Sequence, residues 1–247
     1  MRISFRRNKY IKYKLLKKYR KLRRHIPDTR KLRNKTLWKY LNKYGDIILK
    51  PIDGKRGFGV IRVSEGYQDN YEIHTEGERR IVQGNGQLYD ELNKLISSRK
   101  YIVQRRIPLA TVKGRPFDIR VIVQRKSNSK TWKVTGRVAK LAGKGYIVTN
   151  IERSKGTVLR LKKAIRRSSI KHLSATVLTS KIDKVALRTA SKLSKLYKNQ
   201  YIYGFDMGLD QNGRVWIIEA NLSPMLTHFK KLHSKKMYRR IIRYKYS

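Results

Sequence analysis

The amino-acid sequence predicts an α+β fold in two lobes, and three stretches carry that prediction. Near residue 50, two short apolar strands, 47–51 and 60–63, flank a glycine-rich loop. A third strand, Tyr101 to Ile107, runs up to Pro108, which marks a break between lobes. Toward the C-terminus, residues 203–221 read as two antiparallel strands around Asn212-Gly213, which supplies the positive φ that a tight turn requires. A chain of 247 residues can bury one large core or two small ones. The expected divisions are a basic helical segment at 1–26, a first lobe at 27–107 with the glycine loop, a second lobe at 108–228 with the hairpin, and a basic helix at 229–247.

Taken in order, the first 35 residues hold 16 Lys or Arg and one acid, Asp28. Ile11, Leu15, Tyr19 and Leu22 recur at spacings of four and three, an apolar stripe on a basic helix. That helix can dock on the body by its stripe, present an anion-binding patch, or do both. His25-Ile-Pro-Asp-Thr29 ends it, and Asp28 or Thr29 is placed to cap a second helix that carries Leu32, Leu37, Trp38 and Leu41. Residues 65–88 read as hairpins with Gly84-Asn85-Gly86 as a turn, followed by a short helix at 89–96. Beyond Pro108, strands are expected at 115–124, 132–139 and 146–150. Residues 152–180 carry little pattern. A helix over 183–199, capped by Ser180, buries Ile182, Val185, Ala186, Leu193, Leu196 and Tyr197. Phe229 to Tyr246 closes the chain as a basic helix.

Two stretches carry chemistry. In the C-terminal hairpin, Glu219 and Asn221 are two apart on one strand and share a face, and Asp206 lies on the strand before them. Two carboxylates and an amide oxygen at a strand end suit a hard cation such as magnesium, with positions left free for phosphate oxygens. In Asp53-Gly-Lys-Arg-Gly-Phe-Gly59, three glycines between strands leave bare amides able to approach phosphates, and Lys50 places an ammonium at the end of the preceding strand. No helix follows this loop, so it is neither the Gly-Lys-Ser/Thr phosphate loop nor a dinucleotide fingerprint.

Composition sets limits. The net charge is +46, from 62 basic and 16 acidic residues, which points to a polyanionic or acidic partner without naming one. The absence of cysteine excludes disulfides, thiolate catalysis and cysteine-ligated zinc. No apolar run approaches the roughly 20 residues of a membrane helix, and the expected location is the cytoplasm or the interior of a dormant cell. The five histidines (25, 74, 172, 228 and 233) form no metal-ligand spacing.

Gly-Phe-Asp206 followed by Trp-Ile-Ile-Glu219-Ala-Asn221, together with Leu-Lys50-Pro and the glycine loop, resembles the ATP-grasp superfamily over about residues 25–228. Arg115-Pro-Phe-Asp-Ile-Arg120 and Val148-Thr-Asn-Ile-Glu-Arg153 bring it closest to the endospore-coat-associated YheC/YheD branch. The resemblance implies an ATP-grasp core in which about 25 basic residues stand where a full N-terminal α/β domain would be. It implies that Lys50 contacts nucleotide phosphates, that Gly54, Lys55, Gly57, Phe58 and Gly59 close over them, and that Gln104, Arg105, Arg106 and Ile107 form the linker beside adenine. Asp206, Glu219 and Asn221 would then hold Mg2+, with Arg120 and Arg137 near the transferred phosphate and Asn150 beside the metal cluster.

The function implied is Mg-ATP-dependent ligation of a carboxylate to an amine through an acyl phosphate, on an acidic peptide or a small acid. Two other classes fit the same residues. One is a nucleic-acid- or polyanion-associated spore or structural protein that keeps the fold without turnover. The other is an ATP-dependent kinase.

Overall fold

The computed structural model describes residues 8–54, 57–146, 149, 151 and 154–245. The chain runs through α1 (Lys9–Lys17), α2 (Arg20–Arg23), β1 (Thr29–Lys31), α3 (Asn34–Tyr44), β2 (Asp46–Pro51), β3 (Ile61–Glu65), β4 (Asn70–Thr75), β5 (Glu78–Gln83), α4 (Gly84–Ile96) and β6 (Tyr101–Arg105). It continues with β7 (Thr111–Val112), β8 (Arg115–Gln124), β9 (Lys133–Leu141), β10 (Thr157–Leu159), α5 (Leu161–Arg166), α6 (Ala175–Leu193), β11 (Ile202–Leu209), β12 (Val215–Asn221), α7 (Thr227–Lys230) and α8 (Lys236–Lys245).

Two antiparallel sheets organise these elements. The first has the order β1-β6-β2-β3-β4-β5, and the second β10-β9-β8-β11-β12 with β7 beside β8. The alternation of β2 is why it is half-covered: Ile47 and Leu49 point into a core with Leu37, Leu41, Leu88 and Leu92, while Ile48 and Lys50 face the other way. The second sheet is covered on both faces. Ile119, Val121, Val123 and Ala139 pack with Ile182, Val185, Ala186 and Leu193 of α6, and Ile122 and Val138 pack with Phe229 and Ile241 beneath α7 and α8.

Several expected elements differ. Gly84-Asn85-Gly86 opens α4 instead of turning a hairpin, and Gly84, at φ 74°, makes the change of direction that only glycine takes cheaply. The long helix begins at Ala175, because Ser174 and not Ser180 caps it by accepting the amide of Val177. Leu196 and Tyr197 follow that helix in a turn. Thr29 starts a strand paired with β6 and does not cap a helix. The single C-terminal helix is two, α7 and α8. The hairpin turn spans 210–214: Gly213 has φ 68°, and the Asp210 carboxylate accepts the amides of Asn212 and Arg214. Of the strand expected at 146–150, Tyr146 and Thr149 are irregular, and the other residues lie outside the described ones.

The N-terminal segment docks on the body, and the predicted stripe takes part: Leu22 lies in the core, and Leu15 and Tyr19 pack against it. Lys9, Lys12, Tyr13 and Leu16 are buried, one residue along from Ile11 and Leu15. β12 is the edge of its sheet and offers bare carbonyls. Lys12 Nζ donates to the Ala220 carbonyl at 2.9 Å, and the Tyr13 hydroxyl donates to that of Ile218. Such polar contacts turn the helix so that Lys9 and Lys12 face inward.

Candidate functional site

One row across the second sheet builds the site. Asp206 on β11 stands opposite Arg120 on β8 and opposite Glu219 on β12. Residues directly opposite in an antiparallel pair share a face, so the three side chains project together. Two residues along β8 is Asp118, which stands opposite Lys140 on β9. This face forms one wall of a cavity of about 930 Å³, and the other wall comes from Lys50, Gly54, Gly57, Phe58 and the Gln104–Ile107 linker of the first sheet.

The buried ions are arranged as a network. Arg120 grips Asp206 with both ends of its fork, Nε to Oδ1 at 2.8 Å and Nη2 to Oδ2 at 2.9 Å. Lys140 Nζ lies 3.0 Å from Asp206 Oδ1 and 3.1 Å from Asp118 Oδ1. Burial alone would raise the Asp206 carboxyl, but Arg120 and Lys140 outweigh it and hold Asp206 well below the usual carboxylate range. Asp118 goes the other way. Burial, with Asp206 adding to it against the pull of Lys140, pushes Asp118 up to about 6.

Facing this row, Lys50 donates to Gln104 Oε1 at 2.8 Å, and Gln104 Nε2 donates in turn to Thr29 Oγ1 at 2.8 Å. Burial lowers the Lys50 ammonium to about 8, with Glu219 opposing the shift and Lys9 adding to it. In the linker, Arg106 pairs with Asp46 at 2.7 Å, and Arg105 lies over the Tyr44 ring at 5.5 Å. In the glycine loop, Gly57 and Gly59 have φ of 75° and 70°, and a Cβ on Gly59 would stand 2.8 Å from the Tyr101 hydroxyl. Phe58 is exposed, with the Arg99 guanidinium 5.0 Å from its ring.

Most of the residues singled out from the sequence therefore meet in one cavity: Lys50, Gly54, Gly57, Phe58, Gln104, Arg105, Arg106, Ile107, Arg120, Asp206, Glu219 and Asn221. Gly59 sits at the base of the loop against Pro51 and Tyr101. Lys55 and Asn150 lie outside the described residues. Arg137 stands apart. It is opposite Val121, one position out of phase with Arg120, so it projects on the α6 face and pairs with both oxygens of Asp183. The basic residue of β9 that reaches Asp206 is Lys140, three positions on, where the alternation puts its side chain on the cavity face.

Asp118, Lys140, His228 and Lys9 are among the cavity residues that were not proposed as site residues. Asp118 and Lys140 had a usable signal, the period-two phase that they share with Arg120. His228 is buried, and its Nδ1 has no hydrogen-bond partner; burial together with Lys140 and Arg120 lowers it to about 4, so it is neutral at physiological pH. Lys9 Nζ sits 3.4 Å from Glu219 Oε1 and donates to the Gly54 carbonyl. No spacing in the sequence announces that contact.

The donor set fits magnesium unevenly. Among the described residues, no three His, Cys, Asp or Glu side chains cluster as metal ligands. Glu219 is one-third exposed to the cavity, with Asn221 two residues along the same strand. This carboxylate and amide oxygen suit a cation that takes its remaining ligands from phosphate and water. Asp206 has both oxygens engaged by cations and also accepts Asn221 Nδ2 at 3.2 Å.

The YheC/D-like ATP-grasp family model matches residues 4–247. The chain belongs to that family. It is similar to the endospore coat-associated protein YheD of Bacillus subtilis (strain 168), at 29% identity over 73% of this chain and 40% of YheD. It is also similar to YheC of the same organism, at 24% identity over 81% of this chain and 55% of YheC. The chain thus spans about half the length of these relatives. Among solved structures, the ATP-grasp ligase PsnB, complexed with a phosphomimetic variant of its minimal precursor, Mg and ADP, superposes with a TM-score of 0.53 at 14% identity. That match covers 97% of this chain and 59% of PsnB, and it places the two-lobed architecture in the ATP-grasp fold.

Proposed function

We propose that this ATP-grasp chain is a Mg-ATP-dependent carboxylate–amine ligase that works through an acyl phosphate. The observation that carries this reading is the meeting, across one cavity, of Lys50 and the glycine loop with the Arg120–Asp206–Glu219 row. Family membership supports it, as does the Mg and ADP named for PsnB. In this reading Lys50 and the amides around Gly54 and Gly57 hold the nucleotide phosphates, and the backbone of Gln104–Ile107 lies beside the base. Glu219 and Asn221 would hold magnesium, whose charge would offset that of the phosphates. Arg120, oriented by Asp206, aligns the acceptor carboxylate for attack on the terminal phosphorus, and Lys140 keeps the Asp206 and Asp118 carboxylates from repelling one another. ADP leaves as the acyl phosphate forms; an amine then attacks the acyl carbon, phosphate leaves, and the amine's proton is lost to give the amide. Arg79 and Arg115, outside the linker, also line the cavity, which favours an acidic acceptor, a small acid or an acidic peptide.

The saturation of Asp206 favours a second reading, a fold that binds nucleotide without turnover. Calorimetry with ATP, with and without magnesium, and ADP-release assays over pools of carboxylates and amines decide between them. Glu219→Gln is expected to remove the magnesium dependence of ATP binding, and Lys50→Ala to weaken binding about tenfold or more. Unchanged magnesium-dependent binding in Glu219→Gln overturns the metal assignment. Magnesium-dependent binding with no ADP release for any pool favours the second reading, and a phosphorylated product without amide points to a kinase.

A further inference from the structure

The two carboxylates of the central row are held very differently. Asp206 is gripped bidentately at 2.8 and 2.9 Å by a buried guanidinium, whereas Glu219 pairs with the Lys9 ammonium at 3.4 Å. Lys9 is not a wandering surface lysine. Its side chain is 10% exposed, and its own amide donates to the Ile52 carbonyl at 3.0 Å. One turn on, Lys12 and Tyr13 pin the helix to the carbonyls of Ala220 and Ile218, the residues on either side of Glu219. The ammonium also donates to the Gly54 carbonyl, so it keeps an acceptor if Glu219 leaves it. Lys50, across the cavity, donates to Gln104.

We propose that Lys9 is a resident counter-cation for Glu219, delivered by α1, which an incoming divalent ion has to displace, so that the docked N-terminal helix sets how readily the site takes metal. Two cations cannot share one carboxylate without repulsion. A loosely held partner with a second acceptor is the arrangement that lets one of them withdraw. The inference rests on the reading that Glu219 is a metal ligand, and it adds a residue from outside the strand motifs to the control of that site.

The test titrates Mn2+ alone into the full chain and follows free Mn2+ by electron paramagnetic resonance, with no turnover required. Lys9→Met is expected to bind Mn2+ about tenfold more tightly than wild type, and Lys9→Arg to bind as wild type does. Glu219→Gln is expected to weaken binding in the wild type and to abolish the gain in Lys9→Met. If Lys9→Met melts early, Lys9→Gln, which keeps a donor for Gly54, takes its place. The proposal is overturned if neutralising Lys9 leaves Mn2+ affinity unchanged or lower while Glu219→Gln still weakens it. If Glu219→Gln binds Mn2+ as wild type does, the metal assignment itself fails. Absence of Mn2+ binding in both wild type and Lys9→Met at millimolar concentration also overturns the proposal, since Lys9 then restrains nothing.

Discussion

The two ends of the chain have similar composition and opposite uses. Both α1 and α8 are basic helices without an acid, α1 by lysine alone and α8 by lysine and arginine. α1 turns Lys9 and Lys12 inward, because the edge strand beneath it offers carbonyls and a carboxylate. α8 meets an apolar face. It buries Ile241 against Gly136, Val138 and Phe229 and leaves Arg239 and Arg243 in solvent. The partner surface, not the helix's own charge, decides whether a lysine is a buried donor or a solvated one.

The strongest way to break this comparison is to remove α1. Deleting residues 1–24 strips Tyr13, Leu16 and Leu22 from the core and bares the edge of β12, so cooperative thermal unfolding by circular dichroism is expected to be lost. Leu16→Ala alone should cost about 3 kcal/mol in a denaturant titration. A deletion that melts as wild type does would make α1 an arm.

A buried cation should also declare itself through pH. The folded Lys50 ammonium, at about 8, lies below its ordinary 10.5, so between those values the unfolded chain holds a proton that the folded chain lacks. Wild-type stability relative to Lys50→Met should therefore rise with pH across that window, by ~3 kcal/mol at most. Melts of both proteins at pH 7.5 and 10 check it, and a constant gap would mean that Lys50 is solvated.

On the other side of the comparison, Gly136→Val should push α8 off its seat. A Cβ there would lie 2.5 Å from Ile241 Cδ1 and 2.8 Å from Phe229, and such overpacking typically costs about 1–3 kcal/mol. Ile241→Ala in the same chain should restore part of the loss in a thermal melt. The smallest effect belongs to the solvated charges. Arg239→Gln with Arg243→Gln should leave stability within about 0.5 kcal/mol. If this face binds polyanions, the same pair should lower the slope of heparin affinity against salt by up to about two.

What was legible in the sequence follows from these contrasts. The glycine loop with Lys50 and the Asp206–Glu219–Asn221 set could be read because short-range spacing places them on neighbouring strands, whereas the Gln104–Ile107 linker came only from the family resemblance. Lys140 could have been found by carrying the phase of Asp118 and Arg120 onto the next strand, and the choice of Arg137 ignored that phase. Lys9 is separated from Glu219 by nearly the whole chain, and although Leu15, Tyr19 and Leu22 of the predicted stripe meet the core, the burial of Lys9 and Lys12 depends on carbonyl acceptors that the helix's own periodicity does not reveal. The onset of α6 at Ala175 was hidden because Ala175, Thr176 and Val177 precede the first strong apolar repeat.

The pairing of β11 with β12 slips by one residue at Ile218: Met207 stands opposite Ile217, whereas Asp206 stands opposite Glu219. Val215 and Ile217 enter the helix-covered core before the slip, and Ala220 and Leu222 enter it afterwards. Strict alternation along the strand would have sent Glu219 and Asn221 into that core with Ile217. Ile218 thus acts as a half-wavelength spacer that inverts the strand's polarity in mid-course. In any alignment of related chains, a gap of one residue inside Trp-Ile-Ile-Glu would not be a neutral length variation. It would exchange the wet and dry sides of the strand, and sequences that differ there should be sorted as architecturally distinct before their acidic residues are equated.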